Sequence, residues 1–266
     1  MAKPTIANVA ELAGVSQATV SRALRGATNV TEETRIKVQR AADQLNFTLS
    51  KSASALASGK TMRVILLVSG KLNEWFNSGV LQGVYEELAP VGYDVTPAFI
   101  TDRSELDRFF SQLPKSRNAD AIIISSFQLM PAMRDQLQAI DLPTVGVNVP
   151  AESGYFDASI SIDNSSAMTM AVRLLRSLGH TNIAFCSDYI PADMVYNTSQ
   201  RTQAFADAAQ ANATDGITFS LLTADAHDAP LSKSDLASQL TAKLLSLPER
   251  PTAVCVETDQ VAIALV

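Results

Sequence analysis

Between positions 16 and 22 the chain reads Ser-Gln-Ala-Thr-Val-Ser-Arg. These side chains suit a polyanion that also presents hydrogen-bonding edges. An arginine such as Arg22 can donate two parallel bonds to guanine O6 and N7, and a glutamine such as Gln17 can pair with adenine N6 and N7. Hydroxyls at a helix start can bond phosphate oxygens and set register. A second group of residues suits a small polar ligand. The aromatic faces of Trp75 and Phe76 can stack on a sugar ring or a base, or plug a core. Asn148 can accept from and donate to hydroxyls. Arg201 is a rigid fork for vicinal hydroxyls or carboxylates. Thr258 and Asp259 follow a short apolar run, where Asp259 can face a ligand or cap the final helix. Little in the chain suits catalysis. It holds two histidines and two cysteines. His180 follows Gly179 as part of a helix stop, His227 sits in a polar loop, and Cys186 lies in an apolar run. None has an evident nucleophilic partner, and no metal or other cofactor is expected.

The elements that position the first group read as three short helices. Thr5 is an N-cap for a helix over about Ile6 to Ala13, whose Ile6, Val9, Ala10 and Ala13 share one face. Gly14 takes the positive φ that ends it. Ser16 caps a second helix, Gln17 to Leu24, which points Val20, Ala23 and Leu24 inward and leaves Gln17, Ala18, Thr19, Ser21 and Arg22 outside. A third helix starts after Thr31 with Glu32 and Glu33 at its positive dipole end. Thr34, Val38, Ala41, Ala42 and Leu45 form its buried stripe, and Asn46 supplies a left-handed cap. Two helices joined by a tight glycine turn, the second exposed and polar, describe a helix-turn-helix; a generic three-helix bundle is the plainer alternative.

The string from Thr5 to Leu24, Thr-Ile-Ala-Asn-Val-Ala-Glu-Leu-Ala-Gly-Val-Ser-Gln-Ala-Thr-Val-Ser-Arg-Ala-Leu, resembles the start of the lactose-repressor (LacI/GalR) family of bacterial transcription regulators. The departure is Asn8, where the family usually has Asp; it bears on capping or local solvation more than on groove contact. The resemblance implies that Gln17 and Ala18 lie at base edges and that Arg22 reaches further into the major groove. It implies that Ser16, Thr19, Ser21 and Asn29 hold phosphates, with Thr5 also in the DNA-facing set.

Residues 47–60 are small and polar, with little to bury, and are too short for a stable lone helix of ~12–15 residues. In the resembled family this stretch is a hinge helix that pries open the minor groove with a leucine. That implies Leu56 as the wedge and Ala53 as the small residue beside it; a plain linker leucine is the alternative. Ser54 stands where an arginine is common, which weakens the expected hinge affinity. Gly59-Lys60-Thr61 looks like the end of a phosphate-binding loop, but that loop needs a glycine at position 54 and a helix after it, and neither is present.

Beyond the linker, strand and helix patterns alternate. Apolar runs at Val64–Val68, Tyr93–Phe99, Ala121–Ser125, Thr144–Val147, Ile160–Ile162, Ile183–Ser187, Thr218–Leu222 and Ala253–Val256 alternate with helical segments, with Trp75 and Phe76 in the loop after the first run. This predicts parallel sheets flanked by helices. The expected fold is an all-α helix-turn-helix head plus an α/β two-lobed core. The core resembles the periplasmic-binding-protein-like core of the same family. Asp163-Asn164, Leu178-Gly179-His180-Thr-Asn-Ile183 and Arg201-Thr-Gln-Ala-Phe205 match its usual strings, though Ala204 replaces the usual glycine. The expected division is residues 1–49 as head, 50–60 as hinge and 61–266 as core. Within the core, lobes of about 61–160 and 161–266 cross near Ser161 to Asp163. Ligands of open α/β sheets sit at strand carboxyl ends, and the resemblance makes Arg201 an effector contact. The chain stops about a turn into a helix at Ile263-Ala-Leu-Val266, and the resemblance implies several tens of further residues, so a C-terminally truncated core is expected.

Charge agrees with this division. Net charge is −6. The first 60 residues hold eight basic and four acidic side chains, a surplus of +4, and the remainder holds 13 basic and 23 acidic ones. A basic head on an acidic body implies a polyanion partner for the head alone. No apolar run reaches the ~18 residues of a membrane span, and no secretory signal opens the chain. The expectation is a cytoplasmic regulator, nucleoid-associated when bound to DNA, and not an enzyme. It is a repressor that pairs as a homodimer on a pseudopalindromic operator and answers to a small molecule, a sugar by family analogy. The rivals are a transport solute-binding protein, which lacks a DNA-binding head, and an α/β sugar enzyme, which carries a phosphate loop or an acid/base pair.

Overall fold

The structure is a computed structural model that describes residues 4–48, 60–70, 72–116, 118–149, 156–189, 196–212, 216–226 and 232–266. The chain forms two compact units, Met1–Met62 and Arg63–Val266. The linker positions Ala53, Leu56 and Gly59, and also His227, lie outside the described residues.

The first unit is three helices: α1 (Ile6–Ala13), α2 (Gln17–Leu24) and α3 (Glu32–Gln44). Their spacing of apolar residues closes a small core in which Val9, Val20 and Val38 are fully buried, with Ala10, Ala23, Ala41 and Ala42 around them. The alanines let the helices approach closely, and Leu24, Leu45 and Phe47 seal the edge. Asn46 takes φ 48°, the left-handed exit expected after α3.

The second unit alternates strand and helix as the runs predict. Its first sheet is fully parallel and orders β2 (Asp94–Ile100), β1 (Arg63–Ser69), β3 (Ala121–Ser125), β4 (Thr144–Val147) and β5 (Ala158–Ile160). Helices α4 (Trp75–Leu88), α5 (Arg103–Ser116) and α6 (Pro131–Ala139) connect them. In β1, Val64 to Val68 are all buried, as a central strand covered on both faces requires. Phe110, Phe127, Leu106 and Ile122 fill one side. Gly146 in β4 is a site of close approach: a Cβ there would meet Val149 at 2.6 Å and Phe156 at 2.8 Å.

A second parallel sheet orders β7 (Thr218–Thr223), β6 (Asn182–Ser187) and β8 (Ala253–Val256). Around it lie α7 (Asn164–Ser177), α8 (Ser199–Ala211), α9 (Lys233–Ser246) and α10 (Asp259–Leu265). The period of two along β6 sends Ile183 and Phe185 into one core with Phe205, and Cys186 into another with Leu240. Burial pushes the Cys186 thiol up to about 11, so this sulfur packs as an apolar group. His180 has Nδ1 at 3.0 Å from Thr252 Oγ1 and follows Gly179 at φ 89°, a structural position.

Three local readings shift. Trp75 and Phe76 open α4 rather than lie in a loop. The fifth strand is Ala158–Ile160, two residues earlier than the apolar run, because Asn148 N bonds Ile160 O and ends the pairing there. Helix α7 starts at Asn164, not Ala167, because Asp163 caps it by accepting from Ser166 N at 2.9 Å.

Candidate functional site

Strand order in the first sheet reverses between β1 and β3, and in the second between β6 and β8. Such switch points leave crevices at the carboxyl ends of the strands. Ser69 ends β1 and Gly70 follows it, Ser126 follows β3, Asp188 follows β6 and Glu257 follows β8. All of them line one cleft of about 690 Å³, a size suited to a small molecule.

Trp75, Phe76, Asn148, Arg201, Thr258 and Asp259, six residues from four separate places in the sequence, line that same cleft. Trp75 is 63% exposed, so it is no core plug. Its indole Nε1 donates to Asp259 Oδ1 at 3.1 Å, and Phe76 meets its ring edge-on at 5.7 Å. The cap of α10 is Thr258, whose hydroxyl accepts from Val261 N at 3.4 Å. Asp259 is thereby released from capping; it accepts from Trp75 and from its own neighbour Gln260 N at 2.9 Å. Asn148 takes φ 53°, a left-handed turn that aims the chain out of β4.

A buried hydrogen-bond chain crosses the cleft floor. Asn148 Nδ2 donates to Ser126 Oγ at 3.2 Å, and Asn148 Oδ1 accepts from Asn197 Nδ2. Asn164 Nδ2 donates to Asn197 Oδ1 at 3.0 Å, and Arg201 Nε donates to Asn164 Oδ1 at 3.0 Å. Arg201 Nη1 reaches the Glu257 carbonyl. The guanidinium has five donors; two of them are given to the fold, and Arg201 lines the cleft. Phe205, fully buried one turn along α8, anchors the helix that carries this arginine.

Glu257 was not singled out from the sequence. It is 6% exposed; Oε1 accepts from Asp188 N at 2.7 Å, and Oε2 is buried without a hydrogen-bond partner. Burial, with a further push from Asp188, raises its pKa to about 7, against the lowering pull of the Asp188 N–H and of Arg201. The folded chain therefore holds a proton that the unfolded chain releases near pH 4.5. Stability contributed at this site is lost as pH rises from about 4.5 to 7 and is level above. Glu257→Gln keeps an acceptor for Asp188 N and carries no charge. Its melting temperature should exceed that of the parent chain at pH 8 by an amount worth up to about 3 kcal/mol, with the gap closing near pH 5. The exposed carboxylates cancel in this difference; a gap independent of pH would remove the burial argument.

In the head, α1 and α2 are set by their caps. Thr5 and Asn8 form a reciprocal capping box: Thr5 N donates to Asn8 Oδ1 at 3.0 Å and Asn8 N to Thr5 Oγ1 at 3.4 Å. Asparagine thus supplies the acceptor that an aspartate would. Gly14, at φ 65°, turns the chain, and Ser16 Oγ accepts from Thr19 N at 3.1 Å to start α2. Ser16, Gln17, Ala18, Arg22 and Asn29 are exposed, and Thr19 and Ser21 are half-buried. Arg22 Nε donates to Ala18 O at 3.2 Å, and the side chain is exposed. Arg25 Nη2 donates to Ser21 Oγ. On α3, Glu32 and Glu33 pair with Arg35 and Lys37 at 3.4 and 2.7 Å, while Arg22 and Arg25 on the α2 side and Arg40 on α3 are exposed.

Among the described residues, no group of three His, Cys, Asp or Glu is placed to hold a metal ion, and no helix is long and apolar enough to cross a membrane. Comparison with known proteins gives two family matches. Bacterial regulatory proteins of the lacI family match over residues 5–50, and a periplasmic binding protein-like domain matches over residues 172–266. The HTH-type transcriptional repressor PurR of Vibrio cholerae is 30% identical over 264 residues, covering 98% of this chain and 75% of that protein. In fold, the chain is similar to a lac repressor dimer bound to operator and the anti-inducer ONPF. That likeness has TM-score 0.79 at 22% identity and covers 99% of this chain and 76% of that one. A complex of the transcriptional regulator CelR with cellobiose has TM-score 0.57 at 25% identity, covering 98% and 76%. With a capped helix-turn-helix at one end, a switch-point cleft in the other unit and PurR at 30% identity across nearly the whole chain, the protein belongs to the lacI family of bacterial regulatory proteins.

Proposed function

We propose that this chain is a sequence-specific transcriptional repressor whose operator affinity is set by a small molecule held in the cleft. The observation that carries this reading is the union in one chain of an exposed, doubly hydrogen-bonding face on α2 with a polar cleft at two switch points. Residues 1–49 read the operator, with Gln17, Ala18 and Arg22 at base edges and Thr5, Ser16, Thr19, Ser21 and Asn29 at the backbone. Residues 50–60 carry the minor-groove wedge, Leu56 beside Ala53. Residues 61–266 hold the effector among Trp75, Phe76, Asn148, Arg201, Thr258 and Asp259. The operator-bound dimer and the cellobiose complex among the comparison structures support a homodimer on a pseudopalindromic site and a carbohydrate-like effector. The setting is the bacterial cytoplasm. The roles require no catalytic step. By linkage, operator DNA changes effector affinity by the same factor as effector changes operator affinity.

The test is competition between a fragment of the chain's own promoter and a scrambled duplex over a range of salt. Affinity for the promoter should fall with a log–log slope of about −0.9 per phosphate contacted, and the promoter should compete far better than the scrambled duplex. Equal competition at every salt concentration, with and without added metabolites, would overturn the reading.

A further inference from the structure

The cleft has a charge that a neutral sugar does not explain. Four carboxylates line it, Glu74, Asp188, Glu257 and Asp259, against the guanidinium of Arg201. Two of them have identified roles within the fold: Asp259 takes the Trp75 indole, and Asp188 Oδ1 takes Tyr189 N at 2.7 Å. Glu257 is different. It sits at the carboxyl end of β8, 94% buried, with one oxygen on Asp188 N and the other on nothing. An unpaired oxygen on a buried acid is costly to the folded chain, and a cation placed beside it would recover that cost on binding. The one fixed positive charge among these residues, Arg201, turns Nε and Nη1 to Asn164 and the Glu257 backbone carbonyl, so neither of these bonds reaches the Glu257 carboxyl. Among the described lining residues carboxylates outnumber cations, which disfavours a phosphate or carboxylate ligand.

We propose that the effector carries a protonated amine on a hydroxylated skeleton and that Glu257 is the group that receives the ammonium. This deepens the reading of the cleft as the effector site and rests on it. Asp188 follows β6, Arg201 stands on α8, Glu74 precedes α4 and Asp259 opens α10; among the described residues these are the charged groups around the ammonium position. The aromatic face of Trp75 offers the hydroxylated skeleton a stacking surface, and a cation over that face gains further.

Trp75 is the single tryptophan of the chain and lies in the cleft, so intrinsic fluorescence reports occupancy there without a label. The probes are Tris, a compact ammonium with three hydroxymethyl arms, and pentaerythritol, which replaces the ammonium by a fourth hydroxymethyl. The full chain is titrated with each near pH 7.5 in phosphate buffer at constant ionic strength. The expected result is a saturable shift of Trp75 emission with Tris at a Kd about tenfold or more below that for pentaerythritol. In Glu257→Gln that preference should collapse to about equal affinity. The wild-type comparison decides whether the cleft selects an ammonium, and Glu257→Gln assigns the selection to Glu257. If that variant does not fold, Glu257→Asp, which keeps the charge but shortens its reach, takes its place and should narrow the preference. Equal binding of both probes, no saturable response to either, or an unchanged preference in Glu257→Gln overturns the proposal. A chain that ignores both probes yet answers a neutral sugar with a change in operator affinity leaves the regulatory reading standing and ends this one. A chain that prefers Tris but no promoter does the reverse.

Discussion

Asn197→Ala lowers the melting temperature of the Arg63–Val266 unit by roughly 5–15 °C, the equivalent of about 2–4 kcal/mol for a unit of this size. Asn197 is fully buried and is the middle link of the chain that joins the two sheets. Its Nδ2 donates to Asn148 Oδ1, and its Oδ1 accepts from Asn164 Nδ2 at 3.0 Å. Alanine removes both at once. Asn148 and Asn164 are themselves buried, so each is left with an unmet polar atom. The Asn197 carbonyl, at 3.4 Å from Asn164 Nδ2, makes up only part of the loss. Asn197→Asp fares no better, since one of its oxygens must face Asn148 Oδ1. The links act as a unit, so Asn164→Ala should cost much less in the Asn197→Ala background than alone. Calorimetry of the four chains of that cycle checks both statements. A melting temperature within about 2 °C of the parent, or strict additivity, would mean that the chain of asparagines does not hold the cleft floor together. Arg201 leans on Asn164, so the loss also loosens the one guanidinium that faces the cleft, and effector response should fall with it.

The contrast between Asn197 and its neighbours shows what sequence can and cannot carry. Helix α2 was legible end to end because everything that fixes it is local: Ser16 before it, three apolar positions on one face, and Gly14 closing the preceding helix. The strands were legible because buried parallel strands are continuous apolar runs. The six cleft positions were legible because they stand just past such runs or in a family string. Glu257 also stands just past a run, Ala253 to Val256, yet an acid there reads as the strand's exit to solvent. Its burial comes from the fold around it, where Oε1 meets Asp188 N from the end of another strand. Asn197 lies 49 positions from Asn148 and 33 from Asn164. No periodicity connects residues so far apart, and an isolated asparagine in a polar stretch carries no sign of burial. The early start of α7 was missed for a related reason: the apolar stripe begins at Ala167, but the Asp163 cap fixes three further residues as helix.

Arg22→Ala should remove about 1–3 kcal/mol of discrimination between operator and random duplex, a factor of about 5 to 150. The side chain is exposed, and alanine is the stronger helix former, so α2 keeps its shape around Val20 and Ala23. What disappears is the guanidinium. In the free head its Nε is already tied to Ala18 O at 3.2 Å, which restrains the side chain before DNA arrives. The Nη1–Nη2 edge that remains matches guanine O6 and N7, so little side-chain freedom is lost on reading that base. Lysine can reproduce neither the fork nor the Nε tether, and Arg22→Lys should recover only a small part of the loss. A phosphate contact makes a different forecast. It would weaken operator and random DNA alike and flatten the salt slope by about one phosphate, about 0.9 in log–log terms. Measuring both duplexes over a salt series therefore separates the two roles. An equal loss on both, with the slope reduced, would place Arg22 on the backbone and shift the reading of sequence onto Gln17 and Ala18 at the start of the helix.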